Sequence, residues 1–378
     1  MQSIWAVDTD VHAAGRMAFT KFSILYAIMF LLLRTRATVE FIAFAHVAGC
    51  ALWGWTAATT EVSGRYDPFL GPGVDDSNMV GIHMITGLAM AGFLFLTTKG
   101  AKRWIAFAML PLILNTIILT ASRSAQVGLV AAGIAGLVLA PKRKRRAVGV
   151  CCALGLGLLL ILAQNEVFWD RAATIQESVG DERGMEASAA SRWVIAEANL
   201  RMARDYPLGA GYRGNESLSA YYIAPEYLTA DSSTRSAHNT FLAILVDQGI
   251  PGAILFVLMV AWAGVRLTAL LFMDRHGLPA ELGAYRAAVG AGLAGLLISG
   301  QFVNALRLEV AIWLIAMLAA LDVLCDEWRR QNVPTPALAP LGPLEPRSTP
   351  LPAPSPLSLS NRRPSNLHAK ISSSARIV

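Results

Sequence analysis

The sequence predicts an all-α fold: a polytopic transmembrane bundle of about nine helices, with one long external loop that contains amphipathic helices. Three observations predict it. Of 378 residues, 54% are hydrophobic and only 15% are charged, against roughly 25% charged in a soluble domain. The deficit is concentrated in repeated apolar runs long enough to cross a ~30 Å hydrocarbon core. Basic residues gather in alternate gaps between those runs, as they do on the cytoplasmic side of membrane proteins.

Residues 1–16 lack the basic start of a signal peptide. Apolar runs then occupy about 17–33, 39–58, 79–97, 104–120, 125–140 and 148–163. The second opens into EVSGRYDPFLGPGVDDSN, a loop punctuated by Gly, Pro, Asp and Asn. Asp75 and Asp76 read there as a helix-entry cap before Ser77 and Asn78, because short acidic side chains accept from the first free N–H groups. A substrate contact is the minority alternative. Pro111 falls inside the fourth run, where bundle neighbours can satisfy the freed backbone. After a long polar segment, three more runs follow at about 250–272, 287–303 and 310–325.

The chain therefore divides into transmembrane helices over 1–163, an external loop over 164–237, transmembrane helices over 238–328 and a tail over 329–378. From Asn332 onward that tail is rich in Pro and Ser without apolar periodicity, so it is expected to be disordered and cytoplasmic. Placing the five-residue basic cluster Lys142 to Arg146 in the cytoplasm also places Arg34/Arg36, Lys99/Lys102/Arg103, Arg275/Arg286 and Arg329/Arg330 there. The DDSN loop, Ser122-Arg123-Ser124, the long segment and the turn at Asn304 to Glu309 then share the opposite side of the membrane.

The formal charge of +6 is accounted for by those membrane-flanking residues, and no nucleic-acid partner is expected. Cys50, Cys151, Cys152 and Cys325 lie in or beside apolar runs without metal-site spacing and read as packing residues. There is no Walker A loop, HExxH or CxxC, so neither a metal site nor a cofactor is expected. Ala131, Gly133, Ala135 and Gly136 in the fifth run, and the pairs Ala288/Gly292 and Ala291/Gly295 in the eighth, suit close helix approach.

The chemistry concentrates in the loop. Residues 188–204 carry Trp193, Ala196, Leu200 and Ala203 at helical spacing, with Glu197 four before Arg201. The helix is expected to lie against the bundle or the lipid interface. Pro207 stops it, and Gly209 and Gly211 allow a sharp turn. Arg192, Arg201, Arg204, Arg213 and Arg235 populate the loop, while no lysine occurs between Lys144 and Lys370. A guanidinium fork binds phosphate through two parallel hydrogen bonds, which a lysine cannot do. The plainer account, solvated charges in an arginine-biased sequence, stands beside it. His238 precedes Asn239 and a short apolar stretch ending at Gly249-Ile250-Pro251-Gly252. At a membrane–water boundary it is placed for proton transfer from a bound hydroxyl; an interfacial capping histidine is the bland alternative.

His238-Asn239, nine residues and then Gly249-x-x-Gly252 resemble the signature of the O-antigen ligase and O-antigen polymerase superfamily. Three more stretches agree in order: Arg192 followed by Pro207-Leu208-Gly209-Ala210-Gly211, the Ser-Arg element at Arg123, and the GVDDSNMVG helix entry. The resemblance spans about 71–321. It implies metal-independent glycosyl transfer outside the inner membrane, from a glycan on undecaprenyl diphosphate to a hydroxyl of lipid A core, a growing polysaccharide or a protein. In it, His238 would activate the acceptor or assist diphosphate departure, with Arg192 as its catalytic companion. Arg123, Arg204, Arg213, Arg235 and Asn239 would be substrate contacts. Family members commonly carry more helices ahead of these motifs, so the start is expected to be either truncated or a short variant. Two alternatives stay in play: a flippase for a lipid-linked sugar, and a scaffold membrane protein in which His238 and the arginines are neutral.

Overall fold

The computed structural model describes residues 2–60, 66–68, 74, 76–162, 182–228, 234–305 and 308–332. Each of the nine apolar runs is helical: α1 (Thr9–Leu32), α2 (Arg36–Thr59), α3 (Ser77–Thr97), α4 (Gly100–Leu119), α5 (Arg123–Leu139), α6 (Arg145–Leu162), α11 (Gly249–Phe272), α12 (Ala280–Ser299) and α13 (Glu309–Asn332). Among the described residues, four α-helices lie between α6 and α11: α7 (Glu182–Asp205), α8 (Gly214–Ser217), α9 (Ser219–Tyr222) and α10 (Thr240–Asp247). No strand occurs among the described residues. The expected disorder of the tail, and the cap role of Asp75, fall outside them.

Among the described residues, six helices, α1 to α4, α11 and α12, are long and apolar enough to cross a membrane. The chain is thus a polytopic helical membrane protein. α5 is apolar but has only 17 residues. Helices begin where short polar side chains take up free N–H groups. Asp8 accepts from Val11 N at 3.0 Å, Thr35 and Thr38 form a reciprocal box at the start of α2, and Ser122 accepts from Ala125 N at 3.2 Å. Asp76 accepts from Asn78 N at 2.7 Å and Met79 N at 2.9 Å, which is the cap that its position in the sequence predicts.

α3 and α12 are buried along most of their length, whereas α1 and α11 present most of theirs outward. Outward-facing Phe41, Leu52, Val130, Leu255 and Val265 form the apolar coat that lipid requires. Small residues allow the centre to close. A Cβ on Gly128 would lie 2.8 Å from Gly295 O, and one on Gly295 would lie 2.8 Å from Ile85 Cγ2. The expected approach at the eighth run is therefore present. In the fifth run the contacting residues are Gly128, Ala132 and Gly136, which are buried, whereas Gly133 faces open space. Alanine and glycine recur so densely there that composition alone does not mark the face.

The loops sort to two ends, as the charge pattern requires. At one end Lys144 Nζ donates to Leu96 O at 2.7 Å, and Lys102 pairs with Glu40 at 2.7 Å. At the other, Val7 N donates to Ala210 O at 2.9 Å, Tyr66 N to Leu119 O at 3.0 Å and Thr240 N to Gly300 O at 2.7 Å. One charge corrects the pattern. Arg286 is no solvated loop residue: α12 starts at Ala280, and Arg286 is buried within it.

Candidate active site

The external segment builds its own small core. Ile195, Ala198 and Met202 on α7 pack with Ala210, Leu218 and Val246. This shifts the expected apolar stripe around the helix. Trp193 is 77% exposed and Leu200 47% exposed, so these two face outward while Ile195, Ala198, Asn199 and Met202 face in. The expected stripe failed because Asn199, a polar letter, lies on the buried face, where its amide donates to Ile195 O at 2.8 Å. The helix also runs longer than expected at its start, from Glu182.

Two motifs far apart in sequence interlock by backbone. Gly209 and Gly211 adopt left-handed φ values of 91° and 98°, and Gly249 adopts 69°, a region that glycine enters without steric cost. Ala210 N donates to Val246 O at 2.8 Å, Gly211 N to Asp247 O at 3.0 Å, and Ile250 N to Pro207 O at 2.9 Å. A Cβ on Gly249 would sit 2.4 Å from both Gly209 N and Leu208 C. Gly249→Ala is therefore expected to push the Pro207–Gly209 turn off α10, at a cost of at least ~1–2 kcal/mol from the backbone conformation alone. Limited proteolysis checks this: the 205–215 segment of the variant should be cut faster, and an unchanged rate would mean the interlock is dispensable.

The N-terminal segment straps the same turn. Gln2 Nε2 donates to Leu208 O at 3.0 Å and to Asp247 O at 3.1 Å. Trp5 Nε1 donates to Gly209 O at 3.0 Å, and His12 Nδ1 accepts from Tyr212 N at 3.2 Å.

Asp247, absent from the sequence-level candidates, is the anchor beneath this turn. Its carboxylate accepts from Arg213 N at 3.0 Å, Asn215 N at 2.9 Å and Asn215 Nδ2 at 2.8 Å. Burial pushes its pKa up to about 7, against the pull of those N–H donors. Asn215 Oδ1 then accepts from Ala237 N at 3.2 Å, and Ser219 Oγ accepts from Arg235 N at 2.8 Å. The residues flanking His238 are thus pinned to the turn. The signal was in the sequence: one acid in an otherwise apolar octet, TFLAILVD.

Asn239 holds the other side. Its Oδ1 caps α10 by accepting from Phe241 N at 2.9 Å and Leu242 N at 3.1 Å, and its amide donates to Gln301 O at 3.1 Å. Thr240 Oγ1 donates to Val303 O at 2.8 Å. Asn239 is committed to shaping the segment on both of its polar atoms. His238 is left between these anchors in a left-handed conformation, φ 46°, with an exposed side chain. Among described non-glycine residues, the others with positive φ are Ala121 and Arg213. Ala121 lies two residues before Arg123, so all three stand at or within two residues of a predicted site residue. Strain of this kind costs about 1–3 kcal/mol per residue and concentrates at functional sites.

The charges around His238 sort the remaining candidates. Desolvation lowers its pKa from the usual histidine value, helped by Arg235 and Arg192 and opposed by Asp76 and Glu216. Arg192 and Arg235 are therefore in electrostatic reach, and Arg235 also has a buried Nε with no hydrogen-bond partner. Arg213 is tied to Glu216 by an ion pair. Arg123 opens α5 with its side chain exposed, beside Ser122 Oγ, which donates to Asn78 Oδ1 at 2.9 Å. Arg204 is exposed near the end of α7 and is not among the charges that shift His238.

Residues 108–257 match the family model described as O-Antigen ligase. That region of the chain is similar to the O-antigen ligase family. The matched region contains every site residue predicted from sequence, from Arg123 to Asn239. Asp76, whose charge reaches His238, lies before it. No curated protein matches the chain.

Proposed function

We propose that the protein transfers a glycan from undecaprenyl diphosphate to an acceptor hydroxyl on the periplasmic face of the inner membrane. The observation that carries this is His238, held in a strained, exposed conformation with Arg192 and Arg235 in electrostatic reach. Its lowered pKa keeps the imidazole neutral at physiological pH, the form that accepts a proton. The acceptor O–H gives its proton to His238 as the oxygen attacks the anomeric carbon. The bond from that carbon to the diphosphate oxygen breaks, and its electron pair leaves with undecaprenyl diphosphate. Arg192 and Arg235 neutralise the charge that grows there; Arg123, at the start of α5, is a further substrate contact. Asn239 and Asp247 position the segment. Arg213, engaged by Glu216, contributes its backbone N–H to that scaffold.

The test is transfer by full-length protein in nanodiscs, with an undecaprenyl-diphosphate glycan, candidate acceptors and a divalent chelator. Glycan should move from donor to acceptor with the chelator present, and product size separates ligase from polymerase. Donor that crosses the bilayer chemically intact, or remains unconsumed with every acceptor and with added divalent metal, would overturn the transferase reading.

A further inference from the structure

Three donor side chains that glycan transfer leaves unused converge inside the bundle. His46 and Cys50 lie one turn apart on one face of α2, and His83 faces them from α3. Among the described residues, the ligand atoms of these three lie within 4.8 Å of one another. All are buried, at 6%, 1% and 8% exposure respectively. In sequence they are two isolated polar letters and a packing cysteine; the fold makes them a cluster.

The geometry is that of a pre-assembled site. His46 Nε2 lies 3.9 Å from Cys50 Sγ, and two donors bound to one ion at ~2.0–2.3 Å stand roughly 3.5–4 Å apart. His83 Nδ1 is buried without a hydrogen-bond partner, an uncommon state for a buried polar atom. Thr86 Oγ1 donates to His83 O at 2.7 Å and lies 2.9 Å from His46 Nε2, which holds the His46 ring beside the cluster; ligation through Nε2 moves its proton to Nδ1 and gives up the Thr86 bond, while Thr86 keeps its bond to His83 O. Trp53 lies against His83 at 4.9 Å between ring centroids, and Trp313 against His46 at 5.4 Å. Those two walls are aromatic.

We infer that His46, Cys50 and His83 bind one monovalent copper ion in three-coordinate geometry, tying α2 to α3. A thiolate with imidazoles suits Cu(I) or zinc, and charge decides between them. One Cu(I), one thiolate and two neutral imidazoles sum to zero. Zinc would leave one uncompensated positive charge in a low-dielectric interior, which is costly, and zinc sites usually complete a fourth position. The cluster holds no carboxylate that could supply either need. Binding forms a Cu–S bond, breaks the Cys50 S–H bond and releases its proton to solvent, with no change of oxidation state.

The test uses full-length protein in detergent with Cys151→Ser and Cys152→Ser in the background, since that half-buried adjacent pair could also take Cu(I). Anaerobic Cu(I) competition against a chromogenic chelator should give one equivalent bound per chain, weakened at least 10-fold by Cys50→Ser and by His83→Gln. X-ray absorption should report two nitrogens and one sulfur, and Cu(I) should raise the unfolding temperature of the parent but of neither variant. Absence of binding, equal binding by Cys50→Ser, a sulfur-free spectrum or tighter binding of zinc would each overturn the inference. The cluster shares no residue with the His238 site, so these outcomes and those of the transfer assay are read separately.

Discussion

Replacing His238 with alanine is expected to lower glycan transfer by about 10²–10⁴-fold, the usual span for losing a general base, while the protein still inserts and purifies normally. Alanine at φ 46° keeps the strained backbone position but removes the proton acceptor. Retained activity in this variant would end the base assignment. The pH profile supplies a second readout. Because the His238 pKa lies below the usual 6.5, the imidazole becomes protonated only in acid, and the acid limb of the rate should fall below pH 6.5. Arg235 is the largest charge that lowers it, so Arg235→Gln should move the limb upward. Asp76 opposes that shift, so Asp76→Asn should move the limb downward, with the α3 cap preserved because asparagine also caps well. A purely structural histidine would leave the limb indifferent to both substitutions.

Much of this was legible in the sequence because hydrophobic length and charge placement are local properties. All nine apolar runs are helices, and the loop ends that share a charge class meet one another. The His238-Asn239 and Pro207-Leu208-Gly209 motifs were also legible, since left-handed turns call for glycine and a cap calls for asparagine. What the sequence could not expose was pairing. Nothing in TFLAILVD says that Asp247 accepts from Arg213 and Asn215, because those partners are fixed by the turn that the two glycine motifs close. The outward turn of Trp193 and Leu200 has a similar cause: an asparagine whose amide N–H bonds within its own helix can face a core. His46 and His83 looked isolated because the intervening sequence hides a ring-to-ring distance of 5.0 Å. Arg286 was misread for the same reason, a charge taken as solvated because its acceptors lie on other helices.

Those acceptors make Arg286 the site of the largest expected loss of stability. The side chain is fully buried, and every guanidinium nitrogen is used. Nε and Nη2 donate to Leu139 O at 2.9 and 2.7 Å, and Nη1 donates to Leu270 O at 2.7 Å. Nη1 and Nη2 also reach the two oxygens of Asp274 at 2.9 and 2.8 Å. One planar fork therefore satisfies the last free carbonyls of α5 and α11, groups that have no partner within their own helices. It also ties both helices to α12. Arg286→Met fills similar volume but strands two carbonyls and a carboxylate, and breaking a buried pair from one side costs about 3–5 kcal/mol. Lysine should not rescue it, because a single ammonium cannot reproduce the planar fork. Arg286→Met with Asp274→Asn removes the orphaned charge and should recover part of the loss, while the two carbonyls remain unpaired. Thermal unfolding in detergent, read by monodispersity, orders the variants as wild type, double variant, then Arg286→Met. A single variant as stable as wild type would show that the three helix ends hold together without the guanidinium, and their packing at Gly290 and Gly283 would then have to carry the closure of that end alone.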